Sequence, residues 1–149
     1  MNIWVMNIKD NRTNGSLASS GQKFDVCLQR GILAIGGVGY TINQSSSFKR
    51  AYNALDRMRK DDLVWVKHPV NGQRYICKIT KDGIQVENKN NNPSHVDLGF
   101  YVECKYYSVS NSELATFGIK PRRLVSRSTV RRSLKPDLND MTMRLFATK

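Results

Sequence analysis

The chain has 149 residues, of which 40% are apolar and 24% charged, a composition typical of one folded domain rather than of a disordered segment. Twenty-four Lys and Arg residues against twelve Asp and Glu residues leave a net charge of +12, which attracts polyanions such as DNA and RNA. This charge excludes a protein that mimics DNA, because a mimic needs an acidic surface. No run approaches the roughly 18 apolar residues of a membrane-spanning helix, so no membrane partner is expected.

The N-terminal part of the chain predicts two short buried strands and a first helix. Residues 2–8 carry apolar side chains on both faces of an alternating pattern, and residues 32–35 form a second apolar run. Between them, residues 24–30 place Phe24, Cys27 and Leu28 at helical spacing ahead of Gly31, where a helix can end. The polar residues 10–21 indicate a loop.

Residues 45–59 predict the clearest helix of the chain. A serine at its start can cap the first amides, and an apolar stripe follows at Phe48, Ala51, Tyr52, Leu55 and Met58. The basic side chains that lie off this stripe face solvent or a ligand. The phosphate-binding candidates among them are Arg50, Arg57 and Arg59.

The middle of the chain is rich in predicted strands. Residues 63–67 and 74–80 flank the Asn71-Gly72 dipeptide, which is typical of a hairpin turn. Residues 84–87 and 100–107 predict two further strands, separated by an asparagine-rich loop at residues 88–93. Short strands at this spacing, with one amphipathic helix inserted early, predict a small α+β barrel.

The segment from residue 120 to residue 135 is basic and contains no acidic residue. Arginine forks match phosphate oxygens, and interleaved hydroxyl groups supply extra donors, so the segment predicts phosphate contacts. Six such contacts on a duplex would give a log–log salt slope of roughly −5. The alternative is a basic, solvated helix or tail that touches nothing. The phosphate-binding candidates here are Lys120, Arg122, Arg123, Arg127, Arg131 and Arg132.

The cysteine and histidine residues give no sign of a cofactor. Cys27, Cys77 and Cys104 are odd in number and contain no C-x-x-C pair, which favours free buried thiols, a reducing compartment and a cytoplasmic location. The N-terminus also lacks the features of a signal peptide. His68 and His95 have no ligand partner at metal-binding spacing and are expected at the surface, so neither a metal nor a cofactor is predicted.

Several segments, in this order along the chain, resemble the EVE-like branch of the PUA-like superfamily, in particular small modules joined to restriction proteins that recognise modified DNA. A Trp on the first strand is followed by a polar loop and then by the remaining segments. These are Cys27-Leu-Gln-Arg-Gly-Ile-Leu-Ala-Ile-Gly36, Met58-Arg-Lys-Asp-Asp-Leu-Val-Trp65, Tyr75-Ile-Cys-Lys-Ile-Thr80, Asp97-Leu-Gly-Phe-Tyr-Val-Glu-Cys-Lys105 and Arg127-Ser-Thr-Val-Arg131.

This resemblance implies an α+β fold in which a curved β-barrel of about five to six strands, with peripheral helices, spans residues 1–133. Residues 134–149 would form a tail that docks on the barrel or on a partner. The implied function is non-catalytic recognition of a modified or flipped base, or of a nucleic-acid end, in an aromatic pocket with a basic rim. DNA is favoured over RNA. Gly37 stands where the family often has a Trp, which widens one wall. The pocket candidates are Trp4, Asn7, Gly36, Gly37, Trp65, Lys67, Phe100, Tyr101, Ser128 and Thr129.

Two other functions stay open at this stage. The chain could be a stand-alone defence or anti-defence protein that binds a separate effector, a host defence protein or a free nucleotide. A metal-dependent nuclease is a minor alternative. Glu103 and Lys105 lie on one predicted strand and Asp97 precedes it, which loosely matches the carboxylate and lysine pattern of such enzymes.

Overall fold

A computed structural model describes residues 1–8, 21–36, 46–87, 98–126 and 128–149 of the chain. These residues form a mixed α+β structure with four α-helices and seven strands. The strands are β1 (Ile3–Met6), β2 (Ile32–Ile35), β3 (Leu63–Lys67), β4 (Arg74–Ile79), β5 (Gln85–Val86), β6 (Phe100–Val109) and β7 (Val130–Arg132). The helices are α1 (Gln22–Arg30), α2 (Ser46–Arg57), α3 (Asn111–Thr116) and α4 (Pro136–Phe146), and a 3₁₀ turn covers Pro121–Leu124.

The strands form one curled sheet with the order β2-β6-β4-β3-β1-β7, and β5 pairs with β6 beside this path. All neighbouring strands are antiparallel except β1 and β3, which run parallel with Trp4 opposite Val64. The long strand β6 joins the two halves of the sheet, because it pairs with β4 along its second half and with β2 and β5 along its first. At the other edge, β7 pairs with β1, and Arg132 lies opposite Trp4.

Both faces of the sheet are covered, which explains why the first strand is apolar on both sides. Trp4 and Met6 belong to the core under α1 and α2, together with Phe24 and Leu55. The alternate residues of the same strand, Ile3 and Val5, belong to a second core. This core also contains Trp65 from the sheet and Leu138 and Leu145 from α4. Successive side chains of a strand point to opposite faces, so each short strand serves two cores.

The helices begin and end where local chemistry favours it. Gly31 ends α1 in the left-handed conformation at φ 69°, which a glycine adopts without steric cost. Ser110 and Glu113 form a capping box at the start of α3, in which the side chain of each residue accepts a hydrogen bond from the backbone N–H of the other. Pro136 is the first residue of α4, where its missing N–H costs no helical hydrogen bond.

Most strands and helices predicted from the sequence are confirmed to within a few residues, and the C-terminal part contains further elements that were not predicted. The basic segment after residue 120 is integrated in the fold, since Val130–Arg132 pairs with β1 and the 3₁₀ turn buries Leu124. The last helix, α4, packs on the second face of the sheet. The described ranges contain no helix of the length and apolar character that a membrane crossing requires.

Candidate functional site

The two tryptophans that were expected to line one pocket lie on opposite faces of the sheet. Trp65 is 1% exposed in the second core, and its indole N–H donates a 3.1 Å hydrogen bond to the Thr142 hydroxyl of α4. A buried indole with a satisfied N–H is a packing residue. Trp65 is therefore not a base-pocket residue, and Trp4 has no second tryptophan beside it.

Trp4 lies at the bottom of an open cleft between the end of α2 and the edge strand β7. The cleft has a volume of about 290 Å³ and is lined by Asn2, Trp4, Arg57, Arg132 and Leu134. Trp4 itself is only 4% exposed, so it offers the cleft only a small part of its ring. The other lining side chains are exposed.

Arg57 and Arg132 reach this cleft from two different elements, α2 and β7. Neither guanidinium makes a hydrogen bond or ion pair with another residue in the described part of the chain. An arginine fork presents five N–H donors that suit phosphate or carboxylate oxygens. Two such forks on facing elements can bind one anion together, with the apolar Leu134 side chain beside it.

A buried carboxylate that the sequence did not single out holds this cleft in shape. Asp62 is 2% exposed and accepts hydrogen bonds from the Trp4 indole at 3.0 Å and from the backbone N–H groups of Asn2 and Arg59 at 2.9 Å and 3.1 Å. It thereby ties the start of β1 to the turn after α2. The aspartate is the last of four polar residues that follow Met58 after the helix, a pattern that predicts only a turn.

The remaining basic candidates divide into those the fold uses and those it leaves exposed. Arg123 makes a two-pronged ion pair with Asp137, at 2.7 Å and 2.9 Å, and Arg131 donates to the backbone carbonyls of Arg123 and Val125. Arg59 donates to the carbonyls of Asp56 and Met58. These three guanidiniums hold turns in place. The exposed side chains that make no such contact with another described residue are Arg50, Lys120 and Arg122.

Half-buried aromatic side chains gather where β6 begins. The Phe100 ring lies 5.2 Å from Tyr52 and 5.7 Å from Phe48 of α2. Tyr101 lies under the Arg30 guanidinium, which also binds the buried Glu87, and its hydroxyl donates to Gln85. Gly36 follows directly after β2, where Ile35 pairs with Phe100.

The other pocket candidates lie at the opposite end of the sheet, where β1 and β3 finish. The Asn7 side-chain amide donates to the carbonyls of Ser126 and Ser128, and its backbone N–H donates to the Thr129 carbonyl. Lys67 is the exposed last residue of β3. Asn7, Ser128 and Thr129 therefore join the segment before β7 to β1. Gly37, Arg127, His95 and Asp97 lie outside the described residues.

The histidine expected at the surface is buried, so that prediction is wrong for His68. Its Nδ1 accepts N–H groups of Val70 and Asn71 at 3.1 Å and 3.3 Å, and its Nε2 contacts an Asp25 carboxylate oxygen at 2.8 Å. With Nδ1 accepting, Nε2 carries the proton and its N–H donates a hydrogen bond to Asp25. His68 therefore has a structural role, joining α1 to the turn between β3 and β4.

The three thiols are also part of the core. Burial raises the pKa of the Cys27 thiol to about 12, and burial likewise raises the pKa of Cys77 well above its usual value. Such thiols stay protonated and unreactive at neutral pH. In the ranges that the structure describes, no three His, Cys, Asp or Glu side chains gather to form a metal site.

Comparison with known proteins finds similarity to solved structures. No family model and no curated protein matches the sequence. A Pseudomonas syringae protein is 15% identical over 96% of this chain and 98% of that chain, with a TM-score of 0.45. A Rhodopseudomonas palustris protein is 16% identical over 100% of this chain and 96% of that chain, with a TM-score of 0.45. A Pseudomonas putida protein is 14% identical, covering 96% and 98%, with a TM-score of 0.43. All three are structural genomics targets.

Proposed function

We propose that this protein is a non-catalytic nucleic-acid-binding module that recognises a base, in the manner of the EVE-like modules that its sequence motifs resemble. The observation that carries the proposal is the cleft between α2 and β7, where Arg57 and Arg132 reach the surface beside Trp4 and have no hydrogen-bond or ion-pair partner among the residues that the structure describes. Guanidinium groups in this arrangement provide the charge and the paired donors that a phosphate requires.

The net charge of +12 supports the same function over a longer range, because it raises the local concentration of polyanions around the cleft. Phe48 and Tyr52 belong to the same helix that carries Arg57, and Phe100 packs against both of them. One helix thus supports both a phosphate-binding side chain and half-buried rings. These are the two kinds of group that recognition of an extruded base uses.

A free nucleotide is the second candidate ligand, and the size of the cleft favours it. About 290 Å³ lies at the lower end of the range for small-molecule sites. A cleft that binds one nucleotide needs no long basic surface around it. The salt dependence of the affinity distinguishes the two candidate ligands, because polymer binding weakens steeply with salt whereas binding of a single nucleotide responds mildly.

The test is a fluorescence-anisotropy titration at two salt concentrations. The ligands are a plain duplex, the same duplex with 5-methylcytosine or 5-hydroxymethylcytosine, a matched single-stranded RNA and a labelled nucleoside monophosphate. The double variant Arg57→Ala/Arg132→Ala is compared with Lys81→Ala/Arg144→Ala, which removes the same charge from exposed positions outside the cleft.

The proposal predicts tighter binding of the modified duplex than of the plain duplex and about a tenfold or greater loss in the cleft variant, with a smaller loss in the charge-matched control. Equal losses in both variants would contradict a specific cleft and leave only general electrostatic attraction. Binding of the monophosphate alone would favour the second candidate. No binding of any ligand would contradict both and favour a protein partner.

A further inference from the structure

The solvent-facing side of α2 carries a polar stripe that leads away from the cleft. Arg50, Asn53 and Arg57 are exposed and are separated by three and four residues, so they lie on one face of the helix. Arg50 and Arg57 are two turns apart, which corresponds to about 10.5 Å along the helix axis. None of the three makes a hydrogen bond or ion pair within the described part of the chain.

An exposed apolar side chain stands at the mouth of the cleft. Leu134 is 72% exposed and is adjacent in sequence to Ser133, which follows Arg132 and is buried. An exposed leucine beside two guanidiniums gives a ligand both apolar contact and phosphate contact. A sugar-phosphate backbone alone uses only the second of these.

We propose that the cleft and the α2 stripe bind an unpaired strand of nucleic acid. One phosphate lies between Arg57 and Arg132, the adjoining base packs a face on Leu134, and a neighbouring phosphate contacts Arg50 and Asn53. This inference rests on the proposed function and specifies its substrate class. Single strands expose the base faces and extended backbone that such a combination of cations and apolar surface binds.

A duplex fits these features less well. Its base faces are stacked against each other, so Leu134 would meet only sugars and phosphates. The cleft is also too small to admit more than about one nucleotide, given its volume of about 290 Å³. A nucleotide reaches Trp4 in the cleft only when it leaves the stack, as it does in a single strand or on extrusion from a duplex.

The experiment compares one labelled ten-nucleotide DNA strand, its RNA equivalent and the same DNA annealed to its complement. Wild-type protein is measured beside Leu134→Ser, Arg50→Ala and Arg57→Ala. The control for the leucine is Val70→Ser, since Val70 is 62% exposed in the turn after β3, away from the cleft. All variants alter exposed side chains, and circular dichroism verifies that each one folds.

We expect at least tenfold tighter binding of the single strand than of the duplex. Leu134→Ser should weaken single-strand binding by about fivefold, through lost apolar contact, and Val70→Ser should leave it unchanged. Each arginine variant should reduce the log–log salt slope by about 0.7.

Equal or tighter duplex binding, or an unchanged affinity in Leu134→Ser, would overturn this inference while leaving nucleic-acid binding in place. Failure of all three ligands to bind would instead contradict the proposed function on which it rests.

Discussion

Replacement of Asp62 tests whether a buried carboxylate shapes the candidate site. The change Asp62→Ala removes the acceptor for the Trp4 indole N–H, which is buried, and for the backbone N–H groups of Asn2 and Arg59, which are partly buried. A buried donor left without an acceptor costs about 1–3 kcal/mol. The two partly buried amides can recruit water, so we take about 1 kcal/mol for each of them.

With about 2 kcal/mol taken for the indole donor, the three costs sum to about 4 kcal/mol. Release of the carboxylate from its buried position offsets part of this cost. The expected loss in the free energy of unfolding is therefore about 3 kcal/mol. Asp62→Asn should cost about half as much. Its amide oxygen can accept from two of the donors, but its NH₂ group then faces the third.

Urea unfolding followed by tryptophan fluorescence and by circular dichroism measures these losses, provided that the two probes give the same transition. Asp56→Ala is the control, because Asp56 is exposed and its side chain makes no hydrogen bond with another residue in the described ranges, whereas its backbone carbonyl accepts one from Arg59. It should change stability by no more than about 0.5 kcal/mol. A loss below about 1 kcal/mol in Asp62→Ala, or wild-type stability in Asp62→Asn, would refute the reasoning.

Two further predictions concern titration and thiol access. The hydrogen bond from Arg123 lowers the pKa of Asp137 to about 2, below its usual 3.8, so the ion pair stabilises the fold above about pH 4 and stops doing so as pH falls towards 2. Asp137→Asn should therefore be less stable than wild type at pH 6 and equal to it near pH 2 in urea titrations; a constant difference would contradict the pairing. Because the thiols are buried, a thiol reagent at pH 8 should label the native protein slowly and should label all three cysteines after unfolding. Rapid labelling of Cys27, Cys77 or Cys104 in the native protein would contradict their placement.

The sequence by itself determined the local elements whose signals are short-range. The apolar stripe of residues 45–59 predicts the helix found at Ser46–Arg57, and Asn71-Gly72 predicts the turn between β3 and β4. The apolar character of residues 2–8 on both faces correctly indicates a strand buried on both sides. Side-chain periodicity and turn chemistry act over a few residues, and the sequence displays them directly.

The tertiary structure decided which side chains these elements bring together. Trp4 and Trp65 look equivalent in sequence, but parallel pairing of β1 with β3 places them on opposite faces, one against Asp62 and the other against Thr142. Thr142 belongs to α4, which the sequence predicted only as a tail. Its packing depends on a face of the sheet assembled from strands far apart along the chain.

The basic side chains show the same division. Arg123, Arg131 and Arg132 are chemically identical and lie within ten residues of one another, and the sequence assigns all three to phosphate. In the structure Asp137 pairs with Arg123, backbone carbonyls accept from Arg131, and only Arg132 remains exposed beside Arg57. Whether an arginine is available to a ligand depends on the acceptors that the fold brings within about 3 Å of it, and sequence spacing carries no information about those distances.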